Sequence, residues 1–255
     1  MTSHRIVRRA MTAVTTVLII AFGGWAAAEE ETAAQAGEQT GVQGTFVRVA
    51  TNQEGWVVLG YRIANESVGK DWMVLDVGMT VVKGTNAQKI TRDDIKLVTP
   101  NHEVIWLPTQ EEYEKVRGHV VPLAKRAAQA GDSIYYFPAS ANAPCRIEFF
   151  AEQGEGGPRD LLARVKLAYD EVLVSSNQAC VGRVYFEVPG GIQYGLYNFD
   201  VKFSNSIVRV PMKIMTIERA KEFTKEWKKA RKEAKHDGHD HELGTKMCSQ
   251  RSGDG

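Results

Sequence analysis

The sequence has 255 residues, 32 Lys and Arg against 31 Asp and Glu, with 43% hydrophobic and 25% charged residues, a balance typical of globular chains. It excludes collagen, an extreme polyelectrolyte and wholesale disorder, and a net charge of +1 gives no global reason to expect nucleic acid as a partner. Three cysteines without a CxxC pair exclude a disulfide-built miniprotein and a recognisable zinc module, so the core has to come from apolar packing.

Residues 1–28 are an address. His4, Arg5, Arg8 and Arg9 precede an apolar run from Ala13 to Trp25, and Ala26, Ala27 and Ala28 supply the small residues that a signal peptidase reads. A cleaved secretory signal peptide, and with it a periplasmic or extracellular protein, is the expectation. The alternative is an uncleaved anchor, since Ala10 to Ala28 is 19 residues long, but Thr12, Thr15, Thr16, Gly23 and Gly24 weaken it as a span. Cleavage leaves a mature chain of charge −2, divided into +2 from Glu218 onward and −4 in the body, so body and tail are different segments.

Residues 29–44 are rich in Glu, Ala, Gln, Gly and Thr, with Val42 the one large apolar residue, and read as a flexible leader. From Thr45 the pattern turns to β-branched and aromatic runs: Phe46 to Val49, Trp56 to Ile63, Trp72 to Val82, Ile95 to Val98 and Val104 to Leu107. Alternation is plain in Met73, Leu75, Val77, Met79 and Val81, as in half-buried strands. Residues 109–130 break the pattern with helical spacing and are expected to form a helical insertion. Strands resume at Ile134 to Phe137, Arg146 to Phe150, Glu171 to Val174, Gly182 to Val188, Tyr197 to Phe203 and Ile207 to Ile214. Gly154 to Pro158 reads as a loop, and Asp160 to Ala168 fits helix or strand. Many short strands with no crossover helices at parallel-sheet intervals predict an all-β, antiparallel two-sheet sandwich over residues 45–217.

Residues 218–235 contain no Gly or Pro and predict a basic helix. Ala220, Phe223, Trp227, Ala230 and Ala234 form one narrow apolar stripe on it, docked either on the sandwich or on an external protein. Phe223 and Trp227 are the partner-binding candidates, and the basic helix and an uncleaved N-terminal segment are the two routes to a membrane. In the tail, residues 236–255, expected to be disordered, His236, His239 and His241 are interleaved with Asp237 and Asp240. Imidazoles beside carboxylates suit zinc, copper or nickel, though a tail without a packed shell around the rings would bind weakly.

Ile63, Ala64 and Asn65 after one strand, and Gly182 to Pro189 before another, resemble the immunoglobulin-like domains of bacterial envelope proteins. The stretch holding Pro138, Cys145, Arg146, Phe149 and Phe150, with Ala179 to Gly182, resembles secreted proteins of uncharacterised function of that kind. The resemblance implies an immunoglobulin-like fold and an envelope compartment, and it brings no catalytic residues.

Cys145 and Cys180 each precede a predicted strand in a chain bound for an oxidising compartment, and are expected to pair, leaving Cys248 unpaired within the monomer. Outside the signal peptide and tail the histidines are His102 and His119, and no GxSxG, HExxH, P-loop or GxGxxG fingerprint occurs. Adjacent acids such as Asp93 and Asp94, or Glu111, Glu112 and Glu114, read as solvation and capping. The sequence therefore predicts a non-catalytic binding or structural module of the cell envelope that needs no cofactor, with a weak metal-binding protein and an unrecognised hydrolase as the other readings.

Overall fold

A computed structural model describes residues 39–150 and 169–236, the side chains of 234–236 excepted. The signal peptide, most of the leader, the segment holding Gly154 to Ala168, and His239, His241 and Cys248 lie outside the described residues. In chain order the elements are β1 (Gln39–Gly44), β2 (Val47–Thr51), β3 (Gly55–Gly60), α1 (Arg62–Asn65), β4 (Trp72–Val81), β5 (Gln88–Thr91), β6 (Ile95–Val98), β7 (Val104–Trp106), α2 (Gln110–Ala130), β8 (Ala143–Ile147), β9 (Glu171–Val174), β10 (Gln178–Glu187), β11 (Gly195–Lys202), β12 (Ile207–Ile214) and α3 (Ile217–His236).

The strands form a six-stranded sheet ordered β1-β2-β3-β4-β10-β8, a four-stranded sheet ordered β12-β11-β6-β7, and the pair β5-β9. All pairings are antiparallel except β8 with β10. The protein is thus mostly β-sheet, with two large sheets packed face to face.

β4 explains the layering. Met73, Leu75, Val77, Met79 and Val81 point one way and are sealed from solvent, while Trp72, Val74 and Thr80 point the other way and are buried too. A strand buried on both faces needs a layer on each side. On the inner side, Val57 and Leu59 of β3 join the β4 row against Tyr197, Phe199 and Val201 of β11 and Val208, Val210 and Met212 of β12 in one apolar core. Phe186 and Phe199 meet edge to face at 6.2 Å between centroids. Each such side chain, fully buried, contributes roughly 1.5–3 kcal/mol.

The outer side is covered by α2 and the chain that follows it. Thr109 caps α2: its hydroxyl accepts from the Glu112 N–H at 3.2 Å, while the Glu112 carboxylate accepts from the Thr109 N–H at 2.7 Å. Tyr113, Val120, Leu123, Ala124 and Ala127 form its buried stripe, and the Tyr113 ring lies 5.4 Å from Tyr185 of β10. Beyond Gly131 the chain crosses the sheet as a strap. Ile134 sits over Gly60, where an added Cβ would fall 2.9 Å from its Cγ2, and Phe137 sits over Gly78, where a Cβ would fall 2.6 Å from its ring. Only glycine permits this approach at either position.

Three expectations change here. Residues 39–44 of the expected leader are the edge strand β1, paired with β2 through a bulge between Val42 and Gly44. Its polar residues are explained by the edge position, where Val42 alone is buried. The strand expected at Ile134 to Phe137 has no ladder partner, because the strap lies over the face of a sheet and not beside an edge. The run from Trp56 ends as strand at Gly60, after which Arg62–Asn65 turns into α1.

Candidate binding cleft

Along β10 the residues Val181, Arg183 and Tyr185 point to the outer side, in register with Gly78, Asp76 and Val74 of β4. They floor an open cleft of about 760 Å³. The strap, from Gly131 to Ala139, and the end of α2 at Ala127 and Ala128 form one wall, and residues 143–148 form the other.

The charged groups in this cleft answer one another. Arg183 Nε donates to Asp76 Oδ1 at 2.9 Å. Arg62 donates to both carboxylate oxygens of Asp132, at 3.1 and 2.7 Å, while its guanidinium lies 4.9 Å from the Phe46 ring centroid. Burial pushes the Asp76 carboxyl up from its ordinary value; the Arg183 cation pulls it part of the way back, and repulsion from Asp132 adds to the rise. Arg146 and Glu148 contribute the remaining charges of the wall. The lining is therefore nearly neutral, with Tyr135, Phe137, Pro138 and Val181 as its apolar surface.

The far wall is stapled. Cys145 of β8 and Cys180 of β10 stand directly opposite each other in the parallel register and form a disulfide, as expected from the sequence. Cys180 is sealed from solvent and Cys145 borders the cleft. Both lie within strands, not before them.

The other predicted site residues lie elsewhere. Phe223 packs against the chain's own core, with the Arg48 guanidinium 5.4 Å from its ring centroid, and next to it the Thr224 hydroxyl meets that of Thr45 at 2.7 Å. The N-terminal part of the α3 stripe thus contacts the chain's own core, with Phe223 partly buried there. Trp227 is half-buried, with Arg231 5.3 Å from its ring centroid. His236 ends α3, and the rest of the histidine cluster is outside the described residues. His102, in a turn with φ 64°, and His119, on α2, are exposed, and neither lines the cleft.

Asp76, Arg183 and Asp132 were missed by sequence reasoning. Asp76 did leave a signal, as the lone charge in the run WMVLDVGMTV. Among the described residues no three His, Cys, Asp or Glu side chains converge as a metal site, and no helix is long and apolar enough to cross a membrane. No protein-family model, curated protein or solved structure matches the chain.

Proposed function

We propose that this protein is a non-catalytic binding module of the cell envelope, of the immunoglobulin-like kind, and that it holds a partner protein in the cleft over β10. The observation that carries the reading is the cleft itself. It is wide and open, its lining mixes apolar side chains with ions that answer one another, and it sits on a sheet, as recognition sites do. A catalytic site needs a nucleophile, a base and an orienter in mutual reach; the cleft offers paired ions in their place. The Cys145–Cys180 bond and the signal-like N-terminus support an oxidising, extracytoplasmic setting.

Ala128 is an exposed residue of α2 on the cleft wall, so Ala128→Trp fills the cleft without touching the core. The variant should keep the melting temperature of the parent and lose the partner that the parent captures from its native envelope. Equal capture by both proteins would refute the reading.

A further inference from the structure

The four-stranded sheet has one face in the core and one turned away from it. Phe199 and Val201 of β11 and Val208, Val210 and Met212 of β12 point inward, so the residues that alternate with them point outward. The strand registers set these outward residues in rows. Arg209, Asp200, Lys96 and Trp106 form one row, and Pro211, Asn198, Val98 and Val104 form the next. Leu196 lies beyond the second row, opposite Lys213, and Lys202 lies before the first, opposite Ile207.

A sheet face turned to water is ordinarily polar, yet here Val104, Trp106 and Leu196 each show about half of their surface to solvent. Trp106 is the one exposed tryptophan among the described residues. The charge of the face has one sign. Its single carboxylate, Asp200, is sealed from solvent and answered from within: Arg209 donates to both of its oxygens at 2.9 Å, and Lys96 Nζ stands 3.8 Å away. Lys96, Lys202 and Lys213 are the surplus, and the last two, both exposed, enter no ion pair among the described residues. Lys202 and Lys213 are separated by the six-residue step from Ile207 to Lys213, roughly 20 Å of strand, and Lys96 stands two strands across from β12, roughly 10 Å away. The cations are therefore spread over a plane, with the apolar side chains among them.

We infer that this outer face of the four-stranded sheet docks on the surface of an anionic phospholipid bilayer. Trp106, Val104 and Leu196 enter the headgroup layer, and Lys96, Lys202 and Lys213 meet the lipid phosphates. A second copy of the chain does not fit, because two such faces would set lysine against lysine. An acidic peptide answers a line of charge, whereas a bilayer answers a plane of it. Tryptophan favours the headgroup level, and a lysine stem can lie along apolar surface with its ammonium in water. Each basic residue beside an anionic leaflet adds about fivefold in affinity. The cleft opens on the outer side of the other sheet, so a docked molecule keeps it free, and the inference does not depend on what the cleft holds.

The test uses the protein as the cell processes it, with vesicles of phosphatidylcholine mixed with phosphatidylglycerol and vesicles of phosphatidylcholine alone. Cosedimentation should show binding to the mixed vesicles that weakens with added salt and is at least about tenfold weaker on the neutral ones. Lys202→Glu with Lys213→Glu should keep the parent's melting temperature, since both side chains are exposed, and weaken binding by about 25-fold or more. Lys228→Glu with Lys232→Glu reverses charge on α3 and should stay within about twofold of the parent. Brominated lipid should quench the parent's tryptophan fluorescence, and Trp106→Phe, which keeps an aromatic ring, should bind equally and lose most of that quenching. Should the lysine double variant fail to fold, the salt dependence and the quenching decide.

Equal binding to neutral vesicles would overturn the inference, as would binding that the α3 variant loses and the Lys202, Lys213 variant keeps. A soluble quencher that acts equally on the free parent and on Trp106→Phe would show the face covered by the chain itself. Self-association lost in Lys202→Glu with Lys213→Glu would place a second copy there, and an acidic protein bound through the face in the absence of vesicle binding would make it a protein site. Each of these results rejects the bilayer.

Discussion

Replacing both Cys145 and Cys180 by alanine removes the staple from the cleft wall. The bond joins residues 35 apart in sequence, and on the chain-entropy model closing such a loop stabilises by about 4 kcal/mol. For a domain of this size each kcal/mol shifts the melting temperature by roughly 2–4 °C, so the double variant should melt roughly 8–16 °C below the parent. Alanine is the right replacement because Cys180 is sealed in the core, where a serine hydroxyl would add its own desolvation cost. The loss should also be local. Among the described residues β8 pairs within its sheet with β10 alone, so the amides of Cys145 and Ile147 should lose exchange protection before those of β4 or β11. Thermal melts followed by circular dichroism, with exchange resolved by peptide, give both quantities. A variant that melts within about 2 °C of the parent and keeps β8 protected would refute the claim that the disulfide holds the wall.

Asp76 should titrate above the ordinary aspartate value of about 3.9, because burial raises it more than Arg183 lowers it; its carboxyl carbon shift reads the midpoint. A folded-state value above the unfolded one means that the folded protein holds the proton longer, so stability falls as pH rises through that window, and Asp76→Asn should flatten this part of the stability profile. At Glu54, burial raises the carboxyl, but hydrogen bonds from the Asn205 side chain and N–H and from the Ser206 hydroxyl outweigh it and hold it below its ordinary value. Its contribution is present at neutral pH and lost as pH falls through the carboxylate range. Glu54→Gln should cost about 1–3 kcal/mol in a urea melt at neutral pH and less in acid. On α3, Phe223→Ala should destabilise by about 1–2 kcal/mol, less than a fully buried Phe because the ring is only partly buried, whereas Trp227→Ala should leave the melting temperature nearly unchanged.

The central strands were legible because their chemistry is local. The alternation of Met73, Leu75, Val77, Met79 and Val81 marks the inner row of β4, and helical spacing over residues 109–130 marks α2. β1 was hidden by its polarity: with one buried residue, Val42, an edge strand resembles a linker. The strap shows the reverse failure. Ile134, Tyr135, Tyr136 and Phe137 have strand composition, yet composition cannot tell a residue beside a strand from one lying over a sheet. The same limit hid the cleft. Asp76 and Arg183 are 107 residues apart and meet only through the β4–β10 register, which no local pattern announces. The disulfide was readable for a different reason, since three cysteines in a chain expected to reach an oxidising compartment leave few pairings.

Tyr135 is 70% exposed and borders the cleft, so a photo-crosslinking amino acid placed there in the cell that makes the protein reports directly on occupancy. A second probe at Glu103, exposed in the turn after β6 and absent from the cleft lining, serves as the control. The account predicts a discrete crosslinked species from position 135, lost when Ala128→Trp fills the cleft, and none from position 103. Equal labelling from both positions, or crosslinking at 135 that persists with the cleft filled, would contradict it.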